Sequence, residues 1–210
     1  MKLDQIPPPS LPIPSDRYDR LYHQQHNNIL RLFFNAITRA LNALFGTHGG
    51  QYISTPAGEF ISAATQTPTA AATPKLVTLD TTTYSSGMHY SPGNGLYADV
   101  SGVYNVQFSI QFTNTAVQDH DVDIWLRKNG GDIANSASVA TVPSLHGNQP
   151  GYLIVAASFF VTLNAGDYVE LWWAASSTSV QINYLPAITT PFTSPGSPSV
   201  VVSLSMVNAT

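Results

Sequence analysis

The 210-residue chain contains no cysteine, which excludes a disulfide framework, a thiolate nucleophile and a zinc–thiolate site. Charged residues make up only 10% of the sequence, against about a quarter in an ordinary soluble domain. Aromatic and β-branched residues are nevertheless spread along the chain, which is not typical of disorder. A surface with few charges and many Thr, Ser, Asn and Gln side chains favours contact with other protein, as in stable homo-oligomers.

The few charges are unevenly distributed. Residues 1–46 hold five basic and three acidic side chains, whereas residues 47–210 hold three basic and nine acidic ones. An acidic body with three cations lacks the basic footprint that releases counterions from nucleic acid, so we expect no nucleic-acid partner.

Long apolar runs are also missing. No stretch approaches the roughly 18 apolar residues that span a bilayer, and the N-terminus lacks the apolar core of a signal peptide. We therefore expect synthesis in a cytoplasm and no membrane insertion.

The motifs of common enzyme classes do not occur. The sequence has no Gly-x-Ser-x-Gly elbow, no Walker-type or Gly-x-Gly-x-x-Gly phosphate loop, and no His-x-x-x-His pair. A pair of acids of the glycosidase kind stays open from sequence, although the chain has only two glutamates, Glu59 and Glu170. The sequence predicts a protein without enzymatic activity and without a catalytic residue.

Residues 1–14 form a proline-rich arm. Five of the nine residues from Ile6 to Pro14 are proline, which fixes φ and removes amide donors, so the pattern predicts an extended, polyproline-like segment. Leu11 and Ile13 give this arm apolar side chains. It is either a stiff spacer or a docking peptide that becomes ordered on a partner.

Residues 15–46 are predicted to form one long helix, with Ser15 as N-cap, acidic residues in the first turn and Gly46 as the stop. Apolar side chains in its second half follow the 4-3-4-3 spacing of a coiled-coil seam, and Phe33 widens that stripe. The predicted seam consists of Leu30, Phe34, Ile37, Leu41 and Leu44.

Two interpretations of this helix stay open. It either self-associates or docks on a partner, or it packs as an amphipathic helix on its own β-domain. The tract that follows, residues 47–74, is rich in Thr, Ala and Gly and nearly uncharged, which is typical of a linker. A linker would uncouple the two parts and favours the first interpretation. Phe60 and Ile61 interrupt it and allow a short ordered patch.

Residues 75–210 show the two-residue period of β-strands. Tyr104, Val106, Phe108, Ile110 and Phe112 alternate with polar residues, and Asn129-Gly130-Gly131 is a hairpin-turn signal. The stretch 153–163 is apolar on both faces, so it is expected in the sandwich interior or against a neighbouring subunit. The pattern predicts a mainly β protein with a jelly-roll sandwich of about eight to ten strands.

Three phrases in this region resemble the C1q/TNF-like jelly-roll family, including its phage and bacterial members. They are Gly102-Val-Tyr-Asn-Val-Gln-Phe108, Leu126-Arg-Lys-Asn-Gly130 and Ala165-Gly-Asp-Tyr-Val169. The resemblance covers residues 75–207 and implies a homotrimer with apolar residues packed about a threefold axis. The collagen-like stalk of C1q is replaced by a helix, so complement or cytokine activity is not implied.

The N-terminal part resembles the attachment segments of small virion proteins of marine tailed phages, because Asn27-Asn-Ile-Leu-Arg-Leu-Phe-Phe-Asn35 follows a proline-rich arm. Together, the resemblances imply a trimeric virion protein anchored to capsid or tail by its first 45 residues. A head fibre or capsid decoration protein is the first expectation. A tail-fibre or receptor-binding tip that recognises a host surface glycan is the alternative, and an adhesive module unrelated to virions is the third.

Three tryptophans are candidate surface aromatics. Trp172 and Trp173 are adjacent in a predicted strand and therefore point to opposite faces, while Trp125 lies in another strand. Either they pack in the core or a trimer interface, or some of them form a glycan-binding surface.

The densest polar cluster is Asp119-His-Asp-Val-Asp123. Asp119, Asp121 and Asp123 share one face of a strand and could hold Ca²⁺ through their oxygens. The spacing is not that of an EF-hand, so a solvated strand edge without any cofactor is the expected arrangement.

Overall fold

The computed structural model describes residues 6–14, 16–45, 55–93 and 95–209. The chain divides into two compact units, residues 1–54 and residues 55–210. In the described ranges, the first unit contains one helix and the second contains thirteen strands.

The helix, α1, extends from Arg20 to Phe45 and so begins later than predicted. Asp19 is its N-cap: its Oδ1 accepts a hydrogen bond from Leu21 N at 2.9 Å, and its carbonyl accepts one from His23 N at 3.2 Å. Asp caps a helix as well as Ser does, and the Asp19 side chain satisfies an amide that otherwise has no partner. The predicted cap, Ser15, lies outside the described residues.

The proline-rich arm has neither helix nor strand over residues 6–14. The Ile13 side chain is 90% exposed and that of Leu11 is 45% exposed. The apolar side chains of this arm are therefore available to a partner.

The second unit consists of two antiparallel sheets, in which the strands are numbered in chain order. Sheet I has the order β10-β6-β13-β1-β3, with β12 also paired to β6. It contains β1 (Ala57–Ser62), β3 (Thr81–Ser86), β6 (Gly102–Asn114), β10 (Gly151–Leu163), β12 (Val180–Ile182) and β13 (Val200–Ala209).

Sheet II has the order β4-β5-β11-β7-β8, with β2 paired to β11 and β9 paired to β7. It contains β2 (Lys75–Leu76), β4 (Met88–Ser91), β5 (Gly95–Ala98), β7 (His120–Lys128), β8 (Gly131–Asp132), β9 (Ser138–Val142) and β11 (Tyr168–Ala175). The prediction of a mainly β sandwich preceded by one long helix is confirmed, and the arrangement is consistent with a jelly roll.

The core lies between the two sheets and follows from strand alternation. On β6, every second side chain from Tyr104 to Phe112 is buried, whereas Gln107 between them is exposed. On β7, Val122, Ile124 and Leu126 are buried in the same way. The apolar positions of the sequence pattern are thus the inward-facing ones.

The structure corrects the expected linker of residues 47–74 over its described part, residues 55–74, whereas residues 47–54 lie outside the described part of the chain. From Ala57 to Ser62 the chain forms β1, which pairs with β13 and β3, and Phe60 is fully buried. Gln66 is buried as well, and its amide group donates to Thr78 O at 2.8 Å and accepts from Thr78 N at 2.9 Å. The buried ring of Phe60 and the two hydrogen bonds of the Gln66 amide group thus hold in place a tract whose composition is typical of a linker.

Two of the sequence phrases meet at one junction, formed by Lys128, Asn129, Asn164, Asp167 and Tyr168. Lys128 Nζ and Asn164 N lie 2.8 Å from Asp167 Oδ2, and Asn129 Nδ2 donates to Asp167 Oδ1 at 2.8 Å. Asn129 Oδ1 accepts from Tyr168 N at 3.0 Å. These contacts hold the pKa of the Asp167 carboxyl far below its usual range, and the hydrogen bond from the Lys128 ammonium has the largest effect. The junction fastens the β7–β8 turn to the start of β11.

We expect Asp167→Asn to lower the free energy of unfolding at pH 7 by about 1 kcal/mol, because it weakens charge-assisted hydrogen bonds. Because folding lowers the pKa of Asp167, its stabilisation is complete above the ordinary carboxyl pKa of about 4 and is lost as the pH falls towards the folded value. The difference between wild type and variant should therefore shrink below about pH 4 in urea denaturation.

The matched control is Asp123→Asn, since Asp123 is exposed and has no hydrogen bond or ion pair among the described residues. An Asp167 effect of the same size at pH 7 and pH 3 would contradict the assignment.

Candidate binding surfaces

Strand β10 carries a row of exposed apolar side chains. Tyr152 is 54%, Ile154 63% and Phe160 72% exposed, and we call these three residues the β10 ridge. The alternate side chains, including Val155 and Phe159, pack on the core. Residues 153–163 were expected to be apolar on both faces. In the structure, one face of the strand packs in the sandwich and the other faces away from it.

Between Ile154 and Phe160 of the ridge, and across β6 and β13, the outer face of sheet I has an open trough of about 580 Å³. Small side chains produce it, because Ala156 lies opposite Ser109, and Ser158 opposite Gln107, in the β10–β6 register. We call it the central trough, and its outward-facing lining consists of Gln107, Ser109, Ala156, Ser158, Val201 and Ser203.

Strand β10 is also an edge strand. It pairs with β6 from Gly151 to Leu163, and no other described strand pairs with it. A thirteen-residue edge with exposed apolar side chains is the kind of edge that proteins cover or assemble through.

The structure separates the three predicted aromatics. Trp173 is fully buried in the core, with its ring centroid 5.8 Å from that of Phe112. Trp172 and Trp125 instead face outward on sheet II and lie directly opposite each other on β11 and β7. Two of the three candidates therefore share one surface, while the third contributes to stability.

Charged groups surround the two outward tryptophans. The Arg127 guanidinium carbon lies 4.6 Å from the Trp172 ring centroid, a cation–π contact. Asp132 Oδ1 accepts a hydrogen bond from Trp125 Nε1 at 2.9 Å. Arg127 Nε lies 2.9 Å from the same oxygen, so the two side chains form an ion pair, but the geometry of Nε is not that of a hydrogen bond. With Glu170, described below, we call these residues the tryptophan face: Trp125, Arg127, Asp132, Glu170 and Trp172.

A second aromatic row lies on the same sheet. His89, Tyr97 and Tyr168 occupy directly paired positions on β4, β5 and β11, with ring centroids 5.1 Å and 4.9 Å apart. His89 Nδ1 lies 2.9 Å from Asp99 Oδ1. Sequence reasoning missed this row, because the register of β4 and β5 against β11 has no local signal.

Two carboxylates of the acidic cluster, those of Asp119 and Asp121, accept hydrogen bonds from other groups of the protein. Ser144 N donates to Asp119 Oδ1 at 2.7 Å and holds the pKa of that carboxyl below its usual value. The Thr141 hydroxyl donates to Asp121 Oδ1 at 2.7 Å, while Asp123 faces solvent. Within the described ranges, no three His, Asp or Glu side chains are grouped as a metal site.

On the helix, the predicted seam is largely accessible. Phe34 is 59% and Leu41 47% exposed, whereas Leu30, Phe33 and Ile37 are partly covered. Leu44 lies within α1, but its side chain is outside the described part of the structure. The described helix is too polar to qualify as a membrane span.

The adjacent tryptophans allow a direct test of these placements. Trp173→Ala should lower the free energy of unfolding by about 3–5 kcal/mol because it opens a cavity in the core. Trp172→Ala should cost less than half as much, because that ring is partly solvated already. Urea denaturation of the two variants checks the assignment, and equal losses would contradict it.

No protein-family model matches the chain, and no curated protein matches it at a significant level.

Proposed function

We propose that the chain is a non-enzymatic, homotrimeric virion protein of a tailed phage. In this proposal its N-terminal 45 residues attach it to the particle, and its β sandwich is displayed as an adhesive head. The observation that carries the assembly part is the β10 ridge with the central trough, on a sheet face that is nearly free of charge.

The ridge and the trough have complementary shapes. Three large apolar side chains project from β10, and the depression between and next to them is lined by Ser and Ala side chains with Gln107 and Val201. Inserting the ridge of one copy into the trough of another would remove apolar surface from water and cover the open edge of β10.

The electrostatics of this face also favour self-association. Outward-facing positions of β1, β6, β10 and β13 in the described range include a single charged residue, Glu59. The centres of protein interfaces are depleted in charge, because unpaired charges are costly to desolvate. A solvent-facing sheet would gain solubility from charges, so their scarcity supports burial in an assembly.

The position of the two features allows copies to join in a ring. Ridge and trough are different parts of the same face, so copies would meet through unlike patches, and such contacts either close into a ring or extend into a filament. Three copies is the number that the C1q/TNF-like resemblance implies. A closed ring also suits a virion component that exists as discrete units.

The attachment part of the proposal is supported by the exposed apolar residues of the first unit. Phe34 and Leu41 on α1, and Ile13 on the arm, expose apolar surface that a docking partner or sister helices would cover. The partner would be a capsid or tail protein. Display of many trimers would then convert weak contacts of each head into strong overall attachment.

Placement on the head, as a head fibre or decoration protein, is the primary proposal. The tryptophan face favours a second one, a tail-fibre or receptor-binding tip, because aromatic side chains at a partly exposed surface suit recognition of a host glycan. Cryo-electron microscopy of purified particles distinguishes the two by the position of the protein density.

For assembly, we expect Ile154→Ser combined with Phe160→Ser to convert the trimer into folded monomers, because the ridge loses its apolar contacts. Light scattering coupled to size-exclusion chromatography gives the mass, and circular dichroism checks the fold. Val117→Ser is the control, since Val117 is 79% exposed but lies outside the strands. A monomeric wild type, or a double variant that stays trimeric, would refute the assembly proposal.

For attachment, Phe34→Ser combined with Leu41→Ser should leave the trimer intact but reduce incorporation into virions at least several-fold. Immunoblotting of purified particles measures incorporation. Leu32→Ser is the matched control, because Leu32 is 58% exposed on the same helix but off the predicted seam. If the double variant and the Leu32→Ser control impaired incorporation equally, the seam would not be the docking surface.

A further inference from the structure

Glu170 is an unusual residue for the outer face of a sheet. Alternation along β11 directs it outward together with Tyr168 and Trp172, yet it is only 7% exposed. Its carboxylate has no hydrogen-bond partner among the described residues, and its Oε2 is completely covered. A buried carboxylate without a partner is costly, so its retention at this position calls for a role.

A second polar atom in the same place also lacks a partner. Trp172 Nε1, two residues further along the same face, is buried and donates to no described group. The tryptophan face therefore has one strong acceptor and one donor, on residues two apart on one face of β11, that no described group uses. In contrast, Trp125 Nε1 is satisfied by Asp132.

The obvious partner of Glu170 is engaged elsewhere. Arg127 lies directly opposite Glu170 in the β7–β11 register, but no ion pair joins the two side chains. Instead, the guanidinium lies over the Trp172 ring and close to Asp132, whose side chain is 68% exposed. A ligand on the Trp172 ring therefore requires the guanidinium to turn away from the ring, and Asp132, which Trp125 Nε1 holds in place, gives it a partner there.

We propose that the tryptophan face binds a neutral glycan, with one pyranose ring on the Trp172 face and hydroxyls of the adjoining sugar, at the edge of the indole, bonded to Glu170 and Trp172 Nε1. A hydroxyl both donates and accepts, so neighbouring hydroxyls of one sugar satisfy the carboxylate and the indole N–H together. The apolar C–H face of the sugar packs on the indole once Arg127 moves aside.

The charges of this surface specify a neutral ligand. Outward-facing positions of β7, β8 and β11 carry four carboxylates and one guanidinium, so anionic sugars or phosphorylated glycans would be repelled. The carboxylates are Asp121, Asp123, Asp132 and Glu170.

This inference deepens the adhesive part of the proposed function, but the site lies on sheet II and does not require the trimer contacts of sheet I. Binding by each subunit can therefore be tested separately from assembly. The Ile154→Ser, Phe160→Ser double variant should lose avidity on surfaces while still binding soluble glycan.

The first experiment applies the full-length protein to an array of neutral and anionic bacterial-surface glycans, followed by titration of the bound glycan with tryptophan fluorescence as the readout. We expect binding to neutral glycans and a loss of about tenfold or more in affinity for Trp172→Ala. Tyr84→Ala is the control, since Tyr84 is 55% exposed on sheet I, and it should bind normally. Binding to no neutral glycan, or to anionic glycans alone, would overturn the proposal.

Glu170→Gln separates a binding role from a structural one. It keeps the shape of the side chain but removes the buried charge, so we expect an unchanged or higher urea midpoint together with glycan affinity several-fold weaker. A lower urea midpoint with unchanged affinity would show that Glu170 serves the fold alone.

Discussion

The arrangement of sheet II depends on the junction at which Asp167 binds Lys128, Asn129 and the Asn164 amide. This contact sets the start of β11 against the end of β7 and thereby fixes the register of the two strands. With that register, Trp172 lies opposite Trp125 and Glu170 opposite Arg127. A slip of one residue would turn Trp173 outward and Trp172 into the core. Both the packing of the sandwich and the composition of the tryptophan face follow from a few hydrogen bonds.

The same junction explains why two short phrases, far apart in sequence, are informative together. Asn129 adopts the positive φ of a two-residue hairpin turn, with Gly130 after it, which confirms the predicted turn signal. Its side chain then binds both Asp167 and the Tyr168 amide. Each phrase supplies half of one contact, so neither is sufficient alone.

The sequence predicts what depends on local alternation and misses what depends on register. The buried residues of β6 and β7 could be read from their two-residue period, and so could the opposite orientation of Trp172 and Trp173. The sequence pattern could not predict which of the two tryptophans lies in the core, because that depends on how β11 pairs with β7. β1 was expected only as a short ordered patch in a linker, and for a different reason: its inward positions next to Phe60 are Gly58 and Ser62, so the pattern holds a single large apolar side chain.

The candidate sites follow the same division. The exposed seam residues Phe34 and Leu41 lie on a helix that was predicted from its periodicity, although its start depended on the competition between two capping residues. Glu170 gave no signal, because a glutamate in an alternating strand looks like an ordinary solvent-facing residue. Its burial instead depends on β5, where Gly95 lies against the Glu170 side chain.

The scarcity of charge in the sequence has a structural counterpart, because the two outer faces of the sandwich differ. Sheet I keeps its outward positions almost free of charge, whereas sheet II concentrates carboxylates around two tryptophans. The core separates the faces, so copies can associate through sheet I without covering the tryptophan face. An assembly of this kind would point three identical acidic, aromatic surfaces outward, and their spacing would be set by a rigid sandwich. In the proposed function, avidity would depend on the number of heads, while selectivity would depend on the few side chains around Trp172.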